Sequence, residues 1–394
     1  MMKKKKLAFF IPSLTVGGVE KSLLDLIDAL RQDEYEITIF VKEKDGAWEK
    51  RLKNRGEIRR FDVKGFKEEI RTLLGELRLL KVIRFAIYRL LCRYYYKKQN
   101  FRLSREYLFR SSTICIKEYD AAIAYQMLDD DCVLGALFGI SAAKRIAWLH
   151  GDCGKNACCG RWYMMFDKIF CVSKYTQIHF AEQFPEARAK TEVLYNNINS
   201  NFIVHAAEME CEIDRSDNKV TLVTVGRLSK EKGQNLIPHT ARLLIDSGCS
   251  VRWYIIGDGP LRETVETEIA DNSVEDAVTL LGRRDNPYPY IKACDIYVQT
   301  SLTEGWGLTV SEAKILRKPI VTTDAGVMSE QIRNGINGTI VKEATSEALA
   351  LGIEELIHNA KLREEYIQKL CIDSMLPGKE VEKLYRLLNR TTLH

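Results

Sequence analysis

The chain has 394 residues, 46% hydrophobic and 29% charged, with 59 Lys and Arg against 54 Asp and Glu for a net +5. That length predicts two globular domains of roughly 150–200 residues each and excludes a single small core or a disordered chain. No run approaches the roughly 18 apolar residues of a membrane span, and eleven scattered cysteines suit reduced thiols better than a disulfide framework.

Lys3–Lys6 followed by Leu7-Ala8-Phe9-Phe10-Ile11 imitates a signal peptide, but its apolar run is shorter than the roughly 7–15 residues that an h-region needs. It reads as a first buried strand, 6–11. Thr15-Val16-Gly17-Gly18-Val19-Glu20 then leads into an amphipathic helix, Lys21 to Leu30. Strand, glycine loop and helix start present amides to an anion or let a ligand approach backbone, although a tight turn explains two glycines equally well. Strands at 36–41, 57–61, 119–124, 144–149, 168–172 and 191–194 alternate with helical segments, which predicts an α/β fold with a doubly wound parallel sheet.

Between the third and fourth strands lies an insertion, about 67–113. Its residues 67–110 carry twelve Lys and Arg against four Glu, so the whole basic excess of the chain resides here. Leu73, Leu77, Leu80, Ile87, Leu91 and Tyr94 recur at helical spacing, and Tyr94-Tyr95-Tyr96 precede Lys97-Lys98. A basic amphipathic helix with interfacial aromatics predicts contact with an anionic membrane surface through residues about 78–110. The bland alternative is a helix packed on the first domain with a solvated basic face. No nucleic-acid motif accompanies it.

Asp129-Asp130-Asp131 contains a DxD, a metal-holding spacing in some enzymes; at the start of a helix, capping is the preferred reading. Trp148-Leu149-His150-Gly151-Asp152 ends a strand at the carboxyl edge, where open α/β sheets bind ligands. His150 is either a hydroxyl contact or a structural histidine. Cys153 with Cys158-Cys159 nearby lacks the second pair that a zinc site needs, and no metal is expected.

Asn196-Asn197-Ile198-Asn199-Ser200-Asn201 and the polar stretch 208–218 mark the domain boundary, giving domains 1–198 and 199–376 and a C-terminal helical segment, 377–394. A new strand from Val220 runs into Gly226-Arg227-Leu228-Ser229-Lys230-Glu231-Lys232-Gly233. Ile256-Gly257-Asp258-Gly259-Pro260 is a further strand and turn, and Gly282-Arg283-Arg284 another. Asp295–Thr300 reads as a strand joined by Glu304-Gly305-Trp306-Gly307 to a helix, Leu308 to Leu316, that carries Thr309 and Glu312. Helix-start amides beside Arg227 and Lys232 form a credible diphosphate site, because charge-assisted hydrogen bonds at roughly 1.5–3 kcal/mol outweigh helix-end amides at about 0.3–1 kcal/mol.

Taken in order, Gly17-Gly18-Val19-Glu20, His150-Gly151, Gly226-Arg227…Lys232-Gly233, Gly257-Asp258-Gly259, Glu304-Gly305-Trp306-Gly307-Leu308…Glu312 and Glu330-Gln331…Asn337-Gly338 resemble the retaining glycosyltransferases of family four. The resemblance covers essentially the whole chain and implies the GT-B fold, two Rossmann-like domains facing across a cleft, with a nucleotide sugar, by family habit UDP-linked, as substrate and no cofactor. It implies that Arg227 and Lys232 neutralise the diphosphate, that amides of Trp306, Gly307 and Leu308 meet phosphate and sugar oxygens, and that Glu304 accepts donor-sugar hydroxyls. Glu312 would hold the ribose, His150 would touch a distal sugar hydroxyl, Gly18 would allow close approach on the acceptor side, and Arg283-Arg284 would meet the base through backbone. Gly17, Gly226, Asp258, Gly305 and Thr309 complete the implied donor-binding set. The leaving phosphate would take the acceptor proton on the same face, retaining configuration without metal. The last helix would cross back to the first domain.

The long basic insertion resembles members that build bacterial capsule or other surface polysaccharides on lipid-linked or glycan acceptors, implying a cytoplasmic enzyme peripheral to the membrane. Two rivals stand beside this reading. A glycosidase using Glu304 and Glu312 has no use for the two cations, and a non-catalytic partner subunit would be favoured by loss of motif residues that are all present.

Overall fold

The computed structural model describes residues 3–15, 17–43, 46, 48–61, 79–111, 114–151, 160–215, 217–370 and 380–389. Asp152, Cys153, Cys158, Cys159, Leu73, Leu77 and the insertion's residues 67–78 and 112–113 lie outside them. The chain forms two compact units: Met1–Val172, Thr176–Asn197 and Gly378–His394 in the first, Ser173–Tyr175 and Ile198–Pro377 in the second.

The first unit holds a parallel seven-stranded sheet of β1 (Lys5–Ile11), β2 (Tyr35–Val41), β3 (Glu57–Arg60), β4 (Cys115–Ala124), β5 (Ile140–Leu149), β6 (Lys168–Cys171) and β7 (Thr191–Val193), in the order 3-2-1-4-5-6-7. The central β1 is buried on both faces from Leu7 to Ile11, which explains its unbroken apolar run. β4 and β5 start about four residues earlier than the sequence predicts. The early part of β5, Ile-Ser-Ala-Ala, alternates buried and exposed positions and has little β-branched character, so its strand signal is weak. Helix Gly18–Ala29 lays Leu23, Leu24, Leu26 and Ile27 into the core.

The final helix, Val381–Asn389, packs in this same unit. Tyr385 stacks on Tyr35 with ring centroids 5.6 Å apart, and its hydroxyl accepts the Arg31 amide at 2.9 Å. Lys5 and Lys144 donate to the carbonyls of Leu388 and Leu387 at 2.9 and 2.6 Å, satisfying helix-end acceptors that have no partner inside the helix.

The described part of the insertion is two helices, Leu79–Lys97 and Phe101–Arg110, broken where Gln99 takes φ +56°. Phe85, Tyr88 and Tyr95 face inward, with Tyr95 stacked on Tyr107 at 5.5 Å. Glu106 is buried, accepting Trp162 Nε1 at 2.7 Å and Arg110 Nε at 2.8 Å. Of the residues expected to form one apolar seam, Ile87 and Tyr94 are exposed; with Ile83 and Leu90 they form an outward stripe at helical spacing.

The second unit holds β8 (Val220–Val225), β9 (Val251–Ile256), β10 (Val278–Gly282), β11 (Ile296–Gln299), β12 (Ile320–Thr323) and β13 (Thr339–Val341), parallel, in the order 10-9-8-11-12-13. Leu222, Trp253, Ile255, Val298 and Val321 fill its core on one face, and Val223, Tyr254 and Tyr297 on the other. No helix among the described residues is long and apolar enough to cross a membrane.

Candidate active site

In the second sheet the chain leaves β8 toward β9 on one side, while β11 continues to β12 on the other, so the switch point lies between β8 and β11. Loops leaving an open parallel sheet at such a point frame its ligand crevice. Here they are Gly226–Gly233 and Thr300–Gly307. Thr300 Oγ1 donates to the Lys232 carbonyl and the Leu302 amide to the Glu231 carbonyl, each at 2.8 Å. Gly233, at φ +64°, brings the loops this close: a Cβ there would stand 2.2 Å from the Thr300 carbonyl oxygen.

That stitching aims Lys232 at Glu304. Glu304 Oε1 accepts Lys232 Nζ at 2.5 Å, Ser301 Oγ at 2.8 Å and Gln299 Nε2 at 3.0 Å. Gln299 is itself fixed, its Oε1 accepting Tyr297 OH at 2.8 Å and Thr309 Oγ1 at 3.0 Å. Burial, with Glu312 and Glu304 nearby, pushes the Tyr297 phenol up, so it stays a donor. The Glu304 side chain is 7% exposed and Lys232 26%. These three donors all meet Oε1, so Oε2 has no hydrogen bond among the described residues and remains an acceptor; the lysine ammonium keeps donors to spare.

Gly307 starts the next helix, Leu308–Ile315, at φ +81° with no side-chain cap; the Val310 amide turns back to the Gly307 carbonyl at 3.1 Å, and the Leu308 and Thr309 amides are left for another acceptor. Gln331 Nε2 bonds the carbonyls of Trp306 and Gly307, and its Oε1 accepts Ser311 Oγ at 2.7 Å. The turn's carbonyls are therefore claimed by protein, while the Leu308 and Thr309 amides have no acceptor among the described residues. Glu312, one turn along, is 3% exposed and accepts the Tyr288 hydroxyl at 3.4 Å.

Arg227 is exposed, and its guanidinium makes no hydrogen bond or ion pair among the described residues; its carbonyl accepts Gln234 Nε2 at 2.8 Å. Gly226, just after β8, lies beside it. Asp258, exposed in the loop after β9, accepts the Gly259 amide at 2.8 Å. Arg283 is exposed, 3.7 Å from Asp285. The Arg284 guanidinium is engaged through Nη2 by Glu212 and through Nε by Tyr290 OH, each at 3.0 Å. A pocket of about 280 Å³ lined by Lys219, Gly248, Cys249 and Asp276 opens at the amino edge of this sheet, away from these loops.

In the first unit, His150 follows β5. Its ring lies 4.7 Å from that of Tyr125, bonds the Tyr125 carbonyl and has Nε2 buried without a hydrogen-bond partner among the described residues. Burial pushes its pKa down to about 3 against the weaker pull of that carbonyl. The imidazole is thus neutral, with its proton on Nδ1 and a lone pair on Nε2. Gly17 and Gly18 open the first helix from extended backbone. Glu20, held above the usual carboxylate range by burial, lies beside them and was not among the expected site residues. The acidic triplet is occupied: Asp129 caps Cys132 N at 3.0 Å and pairs with Lys42 at 2.6 Å, and Asp131 takes Arg105 through two bonds.

Sequence reasoning also missed Gln299, Ser301 and Gln331, which orient Glu304 and the glycine turn. A glutamine closing the otherwise apolar strand Ile296–Gln299 was the available signal.

Among known proteins, residues 208–370 match the family model described as Glycosyl transferases group 1. An uncharacterized glycosyltransferase of Methanocaldococcus jannaschii is 26% identical over 277 residues, covering 66% of this chain and 72% of that protein. The Campylobacter jejuni N-acetylgalactosamine-N,N'-diacetylbacillosaminyl-diphospho-undecaprenol 4-alpha-N-acetylgalactosaminyltransferase is 26% identical over 209 residues, 52% of this chain and 55% of that one. Among solved structures, Anabaena HepE, in complex with UDP and glucose, has a TM-score of 0.72 at 18% identity, covering 98% of this chain and all of that one. Residues 208–370 are thus similar to the glycosyl transferases group 1 family, in a chain of two parallel-sheet Rossmann-like units with the GT-B fold.

Proposed function

We propose that the protein is a retaining glycosyltransferase that moves a hexose-type sugar from a nucleoside diphosphate, UDP by preference, to a hydroxyl of a lipid-linked or glycan acceptor in bacterial surface polysaccharide synthesis. The observation that carries this reading is the Lys232–Glu304 pair at the β8/β11 switch point, beside uncapped helix-start amides. Lys232, Arg227 and those amides neutralise the diphosphate; each charge-assisted bond is worth roughly 1.5–3 kcal/mol. Glu304 Oε2 accepts a sugar hydroxyl, and Glu312 is assigned to the ribose. The acceptor oxygen attacks the anomeric carbon as the bond to phosphate breaks; the electron pair leaves with phosphate, whose oxygen takes the acceptor proton on the same face. No step in this scheme requires a metal.

The UDP carried by the solved HepE and the diphospho-undecaprenol in the Campylobacter relative's name support donor and acceptor classes. Burial of Glu312 and the cation on Glu304 count against a two-carboxylate hydrolase, which needs facing carboxyls roughly 5–9 Å apart and open to substrate. His150, neutral with a free Nε2 lone pair, suits a sugar hydroxyl. The stripe Ile83, Ile87, Leu90 and Tyr94, flanked by Arg84, Arg93, Lys97 and Lys98, suits an anionic membrane surface at about 1 kcal/mol per engaged cation, which makes the protein peripheral on the cytoplasmic leaflet.

Incubation with UDP- and GDP-sugars tests the reading. Slow release of nucleoside diphosphate, accelerated by membrane acceptors and reduced about 100-fold or more by Glu304→Ala, is the expected outcome. Absence of release from every donor, with and without acceptors, rejects it.

A further inference from the structure

At the amino edge of the second unit's sheet, opposite the loops described above, two helices end side by side. Helix Ile237–Asp246 is followed by Gly248 at φ +88°, whose amide reaches the Ile245 carbonyl while the Cys249 amide reaches that of Leu244, both at 2.9 Å. This left-handed glycine turn folds Cys249 back beneath the helix end. Helix Ser346–His358 ends at His358, with Glu354 one turn earlier.

Cys249 Sγ lies 3.6 Å from His358 Nε2, and Nε2 lies 3.9 Å from Glu354 Oε1. All three ligand atoms fall within 4.8 Å of one another. A tetrahedral zinc, with Zn–S about 2.3 Å and Zn–N or Zn–O about 2.0–2.2 Å, sets its ligand atoms roughly 3.3–3.6 Å apart. The sulfur and imidazole already stand at that separation. The Glu354 side chain, 32% exposed on a flexible stem, supplies the remaining approach. Both helices turn their carboxyl ends toward this spot, each carrying about half a negative charge, which favours a cation. His358, 63% exposed, opens it to solvent.

We propose that Cys249, Glu354 and His358 bind zinc(II), with water in the fourth position, as a clip between the two helix ends. Binding replaces the Cys249 S–H bond by S–Zn and releases that proton to solvent, with no change of oxidation state. The clip lies at the edge away from Lys232 and Glu304, so it bears on the stability of this unit and not on donor chemistry.

Metal-free full-length protein titrated with zinc chloride by calorimetry, and with cobalt chloride by absorption spectroscopy, tests the clip. The expected result is a site weakened at least ~10-fold by His358→Ala and by Cys249→Ser, with a thiolate-to-cobalt charge-transfer band that Cys249→Ser abolishes. Zinc should also raise the melting temperature of the wild type but not of His358→Ala, a surface change that leaves the fold intact. Equal zinc affinity in wild type and His358→Ala assigns the metal to other thiols and overturns the proposal, as does absence of the charge-transfer band in the wild type.

Discussion

At the carboxyl edge of the second sheet, Lys232, Glu304, Gln299 and Ser301 form a charged, hydrogen-bonded network, whereas the first sheet presents a neutral His150, a partly buried Glu20 and two glycines at its own edge. Both sheets wind outward from a switch point, β1/β4 in one and β8/β11 in the other. Topology therefore marks two crevices and cannot say which takes an anion. The side chains decide. A diphosphate of about two negative charges needs cations and fixed donors, and among the described residues only the second edge sets an unpaired cation, Arg227, beside such donors, Lys42 at the first being paired with Asp129; burial at the first disfavours charge of either sign and suits hydroxyl groups.

The largest effect expected on this contrast comes from the backbone of the charged edge. Gly307→Val forces a branched residue to φ +81° against Met328 Cε, 2.8 Å from its Cβ position, at a cost of about 1–3 kcal/mol. A melting-temperature drop of several degrees, together with weaker donor binding, is the expected result. Gly151→Ala in the first unit, with nothing among the described residues within 4 Å of its Cβ position, should leave the melting temperature unchanged.

Next comes His150. Its folded pKa, about 3, lies below the unfolded value near 6.5, so between those limits the unfolded chain binds a proton that the folded chain does not. Stability thus falls as pH drops from about 6.5 to 3 and does not depend on this group above that window. His150→Gln should flatten that acid limb in urea midpoints measured against pH, while raising KM for the donor about tenfold, the loss of one ordinary hydrogen bond. An unchanged limb and an unchanged KM would remove His150 from the account.

The smallest expected effect concerns the outward stripe. Ile87→Glu with Leu90→Glu should reduce sedimentation with anionic phospholipid vesicles several-fold and leave turnover on a soluble acceptor intact. Equal sedimentation of wild type and variant would return the basic helices to a solvated face.

Much of this was legible because burial imposes pattern. β1 and β8 are central parallel strands; the continuous apolar run of Leu7–Ile11 announces the first, and the largely β-branched run Val220–Val225 the second. The glycine turn after β11 was readable from two glycines between a strand and a helix, with one carboxylate before the turn and another inside the helix. What sequence withheld is what depends on partners far along the chain. Nothing local says that Gln331 will hold the carbonyls of Trp306 and Gly307, or that Lys232 will meet Glu304 and not solvent. The insertion misled for a different reason: its apolar residues occupy more than one helical face, and periodicity alone cannot say whether Ile87 or Phe85 is the one that packs. The Gln99 break has no glycine or proline to mark it.

The central claim is that the second unit's loop pair holds a nucleoside diphosphate through Lys232. Calorimetric titration of UDP into wild type, Lys232→Ala and Arg283→Ala tests it most directly. Wild type should bind UDP, Lys232→Ala at least ~10-fold more weakly for the loss of a charge-assisted bond, and Arg283→Ala with little change; equal affinity in wild type and Lys232→Ala would refute a diphosphate site at Lys232.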